Sequence, residues 1–153
     1  MIYNLGQIAF RISTISGAAV LAMAPLLAAG ADRLPGPIEA RVLRVVDGDT
    51  ITVRAHIWLR QEVETTVRIA GLDTPEKNSR CDTEREMARK AQSFVEAALA
   101  EGVVVLRDIE FEKYGGRVLA RVSTPAGDDL GRMVIDARLG RAYDGRAKAG
   151  WCE

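Results

Sequence analysis

The chain has 153 residues, the size of one ordinary domain, because units smaller than about 50 residues rarely hold a core of their own. Apolar residues make up 48% and charged residues 27%, which excludes a disordered chain and a polytopic membrane protein. Lys and Arg (21) balance Asp and Glu (21), so no overall basic field attracts nucleic acid, and the single histidine excludes His-paired ribonuclease chemistry.

The first part of the chain has the composition of a targeting segment. Residues 12–31 carry no charge, follow Arg11 and end in Ala29-Gly30-Ala31, a small-residue cleavage pattern. We predict that residues 1–31 are a secretory signal peptide. The alternative is an uncleaved membrane anchor, because about twenty residues suffice to cross a bilayer. The sequence thus predicts a periplasmic or secreted protein, or one anchored to a membrane and facing away from the cytoplasm.

Export would place the two cysteines, Cys81 and Cys152, in an oxidising compartment. We predict a disulfide between them that ties down the C-terminal tail and, by closing a loop of about 70 residues, stabilises the fold by about 4 kcal/mol. The alternative is two unpaired buried thiols. Metal ligation is disfavoured because no other cysteine or nearby histidine completes a site.

Residues 32–37 form a short Pro/Gly linker, and residues 38–153 form the folded domain. Three segments rich in β-branched residues follow the linker and predict strands over 38–46, 49–55 and 63–70. The pair Asp47-Gly48 predicts a tight hairpin turn between the first two strands.

A capping-box pattern at Thr83–Glu86 and apolar residues at helical spacing predict a helix from about Glu84 to Ala100. Two further strands are predicted over 103–109 and 117–124, and a shorter helix over 130–139. This order predicts an α+β, mainly β fold: a five-stranded OB-like barrel with a helix between strands three and four and a shorter C-terminal helix. Closure leaves no unpaired edge on a domain too small to cover a flat sheet.

Carboxylates concentrate where two of these strands begin or end. Asp49 shares strand parity with Ile51 and Val53, so the pleat points it toward the barrel mouth, where a half-buried carboxylate needs a cation. Asp73 and Glu76 follow the third strand directly, with a loop carbonyl between them. Oxygen ligands of this kind suit a hard divalent ion, Ca²⁺ or Mg²⁺.

Two arginines near strand ends, Arg68 and Arg117, lie one residue out of phase with the buried set, so each projects to solvent or across the barrel mouth. A planar guanidinium is well shaped to hold a phosphate. Each motif has an ordinary explanation when taken singly: an acidic hairpin turn, a strand-exit loop or a solvated arginine. The segment Lys113–Arg117 is likewise a glycine-containing turn, or else a loop that contacts phosphate.

Taken together, four segments resemble the staphylococcal nuclease (thermonuclease) family: VVDGDTITV at 45–53, VRIAGLDTPE at 67–76, the helix of 84–100 and KYGGRVLARV at 113–122. The resemblance implies an OB-like barrel and a Ca²⁺-dependent endonuclease that hydrolyses DNA and/or RNA to 3′-phosphate products. Nucleic acid is the implied partner. We expect a monomer without a protein partner, with membrane contact only through an uncleaved anchor.

The resemblance also implies which residues would hold the metal. Asp49 and Asp73 would supply carboxylate ligands to Ca²⁺, with Mg²⁺ as the alternative ion, and Thr74 would supply its backbone carbonyl. Asp47 would lie just behind these ligands and support them.

The remaining roles concern the phosphate and the attacking water. Glu76 would orient or deprotonate the water, and Arg68 and Arg117 would clamp the phosphate as charge develops. Lys113 and Tyr114 would contact the substrate. The chain departs from the family's usual Tyr-Gly-Arg by one extra glycine before Arg117.

A different class of function fits the same predicted fold. An OB-like module can bind nucleic acid or protein without catalysing a reaction, because fold alone does not fix function. A third hypothesis is an envelope protein that uses calcium only for structure. The presence of Glu76 together with Asp49 favours the enzyme, since a binding module does not need both.

Overall fold

The computed structural model describes residues 33–112 and 116–152. The predicted signal peptide or anchor, residues 1–31, lies outside the described residues, as do Lys113 and Tyr114. Within the described ranges, no helix has both the length and the apolar composition needed to cross a membrane. In chain order the elements are β1 (Arg33–Leu34), β2 (Ile38–Asp47), β3 (Thr50–Trp58), β4 (Gln61–Ile69), β5 (Leu72–Asp73), α1 (Asp82–Ala98), β6 (Val103–Phe111), β7 (Val118–Ser123), α2 (Leu130–Asp136) and β8 (Arg141–Ala142).

Five of the strands close into a barrel. β2, β3 and β4 form an antiparallel meander, β4 pairs in parallel with β7, and β6 pairs antiparallel with both β7 and β2. The circuit β2-β3-β4-β7-β6 is therefore closed. α1 connects the third barrel strand to the fourth, and α2 follows the fifth. The predicted α+β, mainly β architecture with an OB-like barrel is confirmed.

Strand alternation places the core inside this barrel. The apolar residues on one face of each strand are buried together with residues from both helices. The largest fully buried side chains include Ile51, Ile69, Leu72, Leu106 and Leu130. The first four residues of β3, residues 50–53, are all buried, and so is Asp49 in the hairpin turn that precedes them at the barrel mouth.

The start of α1 differs from the prediction. The helix begins at Asp82, its N-cap is Cys81, and no side chain caps it, so the predicted capping box at Thr83–Glu86 is wrong. The helix starts one residue before Thr83, so Thr83 lies inside it and cannot be its N-cap, and Glu86 pairs with Lys90 (2.8 Å). The carboxylate of Glu84 accepts hydrogen bonds from the backbone N–H of Glu76 (3.0 Å) and from the Ser79 hydroxyl (2.5 Å). Glu84, in the first turn of α1, thus fixes the loop that precedes the helix.

The other differences are short elements that carry no periodic signal. Within the predicted linker 32–37, Arg33–Leu34 forms β1 and pairs with β6. α2 ends at Asp136, not at residue 139, because Arg138 adopts a left-handed backbone (φ 60°) that turns the chain. β5 and β8 pair with each other through the registers Leu72↔Ala142 and Asp73↔Arg141.

The last described residues form a strap along one side of the barrel mouth. We call residues 141–152 the C-terminal strap. Its start is fixed by β8 and by the Tyr143 backbone N–H, which donates to the carbonyl oxygen of Gly71 (3.0 Å). Its end is fixed by a disulfide between Cys81 and Cys152, whose Cα atoms lie 6.2 Å apart. The strap is therefore anchored at both ends.

We predict that the disulfide contributes strongly to stability, because it joins residues 71 positions apart and so restricts the unfolded chain. A double Cys81→Ser, Cys152→Ser variant should lose about 4 kcal/mol of unfolding free energy in urea denaturation. Reducing the wild-type protein should have a similar effect. A reductant that leaves the urea midpoint of the wild-type protein unchanged would contradict the prediction.

Candidate active site

A cavity of about 700 Å³ opens at the barrel mouth beside the strap. Its wall contains five of the residues that the sequence singled out. They come from β2, the β2–β3 turn, β4, the loop after β5 and the position just before β7. These residues are Asp47, Asp49, Arg68, Glu76 and Arg117. Segments up to 70 residues apart in the chain thus meet at one site.

Asp49 is buried (3% exposed) and fully engaged with neighbouring groups. One carboxylate oxygen accepts hydrogen bonds from the Arg68 guanidinium (2.8 Å) and the Thr50 hydroxyl (2.9 Å). The other accepts from the backbone N–H of Thr74 (3.2 Å), and Asp47 accepts from the backbone N–H of Asp49 (3.2 Å). These bonds join the β2–β3 turn to the loop after β5.

A glycine permits this close approach. A Cβ atom on Gly48 would lie 2.8 Å from the Cβ of Ala91 on α1 and 3.0 Å from the Cβ of Thr74. Any side chain there would push the turn away from both elements. The Asp47-Gly48 pair therefore serves the packing of the two acidic loops as well as the hairpin turn.

The environment of Asp49 disfavours its negative charge. Burial raises the pKa of Asp49, the Arg68 guanidinium acts in the opposite direction without cancelling that effect, and the nearby Asp47 carboxylate raises the pKa further. A further cation beside Asp49 would compensate for the lost hydration of the carboxylate.

The two arginines are linked by an acid that sequence analysis missed. The carboxylate of Glu112 lies 3.9 Å from Nε of Arg68 and 2.7 Å from Nε of Arg117. The Glu112 carboxylate and Nε of Arg117 are close, but they are not aligned for a hydrogen bond. Arg68, predicted to face solvent or the barrel mouth, lies buried across the mouth, whereas the Arg117 side chain is about one-third exposed. β6 ends on the exposed Phe111, and no local pattern marks Glu112, whose two arginine partners lie on other segments.

Asp73 is buried (1% exposed) beside the cavity and contacts the strap. One oxygen accepts from Nε of Arg141 (3.1 Å) and from the indole N–H of Trp151 (3.2 Å), and the other lies 2.9 Å from the Lys148 ammonium. Burial acts to raise the pKa of Asp73, but Lys148 and Arg141 outweigh it, so the pKa is lowered. Asp73 and Thr74 lie behind the residues that line the cavity.

Glu76 presents its carboxylate to solvent, with 59% of the side chain exposed. Its one close side-chain partner among the described residues is Lys148, whose ammonium lies 2.9 Å from Oε1. Burial acts to lower the pKa of Lys148, yet the carboxylates of Asp73 and Glu76 outweigh it and the pKa is raised. Sequence analysis did not identify Lys148, because no local pattern marks a residue whose partners, Glu76 and Asp73, are 72 and 75 positions away.

The donor set fits a hard divalent cation in kind, since Asp47, Asp49, Asp73 and Glu76 offer only oxygen atoms. One oxygen of Asp73 is buried without an aligned hydrogen-bond donor. The carboxylates of Asp73 and Glu76 are, however, bridged by an ammonium group.

A second cluster lies at the start of α1. In the described part of the chain, Cys81, Glu84 and Cys152 form a group whose ligand atoms all lie within 4.8 Å of one another. Both sulfur atoms are joined in the disulfide, so they are not available as thiolate ligands. This cluster therefore holds the strap and not a metal.

Comparison with known families adds evidence independent of this geometry. The family model described as "Staphylococcal nuclease homologue" matches residues 66–149, more than half of the chain. The chain belongs to this family. The match to the SNase family includes Arg68, Asp73, Glu76 and Arg117, and begins after the turn that contains Asp49.

Two curated relatives are similar over a longer range. They come from Escherichia coli and Escherichia coli O157:H7, and each bears the name "Uncharacterized endonuclease". Each is 26% identical over 107 residues, which are 70% of this chain and 62% of the relative. The chain therefore spans about three-fifths of the length of these relatives.

The lowered pKa of Asp73 predicts a pH-dependent effect of Asp73→Asn on stability. The carboxyl group titrates near 3.8 in the unfolded chain and at a lower pH in the folded protein. Its contribution to stability is therefore present above pH 3.8 and is lost as the pH falls through the folded pKa. The wild type should be more stable than the variant by a constant amount between about pH 5 and pH 7, and the gap should narrow in more acidic solution.

Urea denaturation of both proteins across this pH range checks the prediction. Glu101→Gln is the matched control, because Glu101 is exposed beyond the end of α1. A gap between wild type and Asp73→Asn that does not vary with pH would show that the carboxylate charge contributes nothing.

Proposed function

We propose that the chain is an exported, Ca²⁺-dependent endonuclease that hydrolyses DNA and/or RNA to 3′-phosphate products, with Mg²⁺ as the alternative ion. The observation that carries the proposal is the cavity at the barrel mouth, which is lined by the carboxylates of Asp49 and Glu76 and by the guanidinium groups of Arg68 and Arg117. Carboxylates can hold a metal or accept a proton, and guanidinium groups bind phosphate. Membership of the SNase family supports this class of reaction.

In this proposal, Asp49, Asp73 and the backbone carbonyl of Thr74 hold the metal. When bound, the cation supplies positive charge that stabilises the negative charge developing on the phosphate. Asp47 supports the ligand set through its hydrogen bond with the backbone N–H of Asp49 (3.2 Å). The raised pKa of Asp49 supports the assignment, because a carboxylate short of positive charge favours a cation.

Glu76 acts on the attacking water. Its carboxylate is the most exposed of the acids in the cavity wall that carry the proposed chemistry, so it can orient a water molecule and accept its proton. The backbone of this loop is fixed by the bond from the Glu76 N–H to Glu84 and by the adjoining Pro75. Glu84 is therefore a positioning residue for the general base.

Arg68 and Arg117 bind the phosphate on the side of the cavity where Glu112 lies. The Glu112 carboxylate lies near both guanidinium groups, so the two arginines share one side of the cavity before substrate arrives. Donors held in place in this way stabilise developing charge more effectively than mobile ones. Lys113 and Tyr114 remain proposed substrate contacts on the strength of their motif alone.

Export and oligomeric state belong to the same proposal. We expect residues 1–31 to direct the domain of residues 38–153 to the periplasm or the medium, or to anchor it outside the cytoplasm, and the domain to act as a monomer. The Cys81–Cys152 disulfide supports an extracytoplasmic location, since such bonds persist in oxidising compartments.

We predict that Glu76→Gln lowers kcat by at least about 100-fold with little change in KM, because the amide cannot accept the proton of water. The assay is digestion of single-stranded DNA with Ca²⁺ or Mg²⁺, with and without a chelator. Glu62→Gln is the matched control, because Glu62 is an exposed residue of β4 that does not line the cavity.

The outcomes separate the competing functions. Cleavage by Glu76→Gln at the wild-type rate would refute the role of Glu76. Wild-type protein that binds DNA yet cleaves it with neither metal would favour the non-catalytic binding module. Cleavage that survives chelation would contradict the dependence on a divalent ion.

A further inference from the structure

We propose that Lys148 is a tethered internal cation that competes with the divalent ion for Asp73 and also pairs with the proposed base Glu76, so that the C-terminal strap sets the metal affinity of the site. The inference rests on the function proposed above and concerns its regulation. It begins from the position of the Lys148 ammonium, which lies 2.9 Å from a carboxylate oxygen of Asp73 and 2.9 Å from one of Glu76.

The ammonium and a divalent ion cannot use these oxygens together. Lys148 carries three donors and no acceptor, so it cannot join a coordination shell. Two cations that share the same carboxylates would lie a few ångströms apart, where they repel each other strongly. Entry of the metal at Asp73 therefore requires the ammonium to leave, and its departure also frees the Glu76 carboxylate for the attacking water.

The strap makes this competition effective because it keeps Lys148 close to the acids. Residues on both sides of Lys148 are fixed to the rest of the protein: Arg141 binds Asp73, Tyr143 bonds to Gly71, and Trp151 donates to Asp73. The disulfide then closes the end of the strap. A tethered group of this kind competes at an effective concentration far above that of a free cation.

The side chain of Lys148 can leave the acids without disturbing the strap. It is 38% exposed, and the anchors just described involve other residues. The cavity wall contains Lys148 as well as Arg68 and Arg117. An ammonium displaced from Asp73 and Glu76 would remain in the cavity that the two arginines also line, where it would add positive charge for an anionic substrate.

The test measures Ca²⁺ binding by calorimetry without nucleic acid. Lys148→Met, which keeps the length of the side chain and removes its charge, should lower the Kd for Ca²⁺ by about tenfold. Lys148→Arg should stay near the wild-type Kd, because it retains the cation. Lys90→Met is the matched control, since Lys90 pairs with Glu86 on the exposed face of α1 and should leave the Kd unchanged.

Two further measurements separate competition from a structural role. If Lys148 only maintained the structure, its loss would loosen the site and weaken Ca²⁺ binding. If Lys148 competes with Ca²⁺, its loss should strengthen Ca²⁺ binding. Reduction of the disulfide should also tighten binding in the wild type, with less effect in Lys148→Met. In a Trp58→Phe background Trp151 is the sole tryptophan, so its fluorescence reports Ca²⁺ arrival near Asp73.

Each outcome decides the inference. A tenfold tighter Kd in Lys148→Met, with Lys90→Met unchanged, would support it. An unchanged or weaker Kd in Lys148→Met, beside measurable wild-type binding, would overturn it and leave the proposed nuclease intact. No Ca²⁺ binding in either protein would overturn both the inference and the metal-dependent part of the proposed function.

Discussion

The site depends on the buried ion pair between Asp49 and Arg68. Its 2.8 Å contact joins the turn before β3 to the end of β4, and the second Asp49 oxygen fastens the loop after β5 through the Thr74 N–H. Removing either partner would leave a buried charge without compensation, which is far costlier than losing a surface pair. The same interaction thus maintains the barrel mouth and orients two groups of the proposed chemistry.

Around this pair, charges of opposite sign alternate across the cavity and its edge. Glu112 holds Arg68 and Arg117, and Lys148 connects Glu76 with Asp73. Each acid in this network has a basic neighbour, which explains how a domain of almost neutral net charge can concentrate ionisable groups at one end. The cavity wall holds six acids and three bases, so positive charge is available there only at the individual basic side chains and not as an overall positive field.

Much of this arrangement follows from local sequence. Strand parity predicts that Asp49 faces inward, and the combined motifs predict the barrel and bring Arg68, Glu76 and Arg117 into consideration. Periodicity cannot reveal Glu112 or Lys148, because their importance comes from partners on distant elements. The capping-box prediction was wrong because the helix begins at Asp82, so Thr83 lies inside it and cannot cap it. Long-range polar contacts leave no periodic pattern in the sequence.

The parallel pairing of β4 with β7 has a consequence for when activity can arise. It joins residues 67–69 to residues 118–120, and Arg68 and Arg117 lie at that seam. Contacts between such distant segments form slowly, because the entropy cost of closing the long loop comes before any stabilising contact is made. A nascent or partly folded chain would therefore lack the proposed phosphate-binding pair. In the export route proposed above, this timing would spare the nucleic acids of the cell that makes the protein.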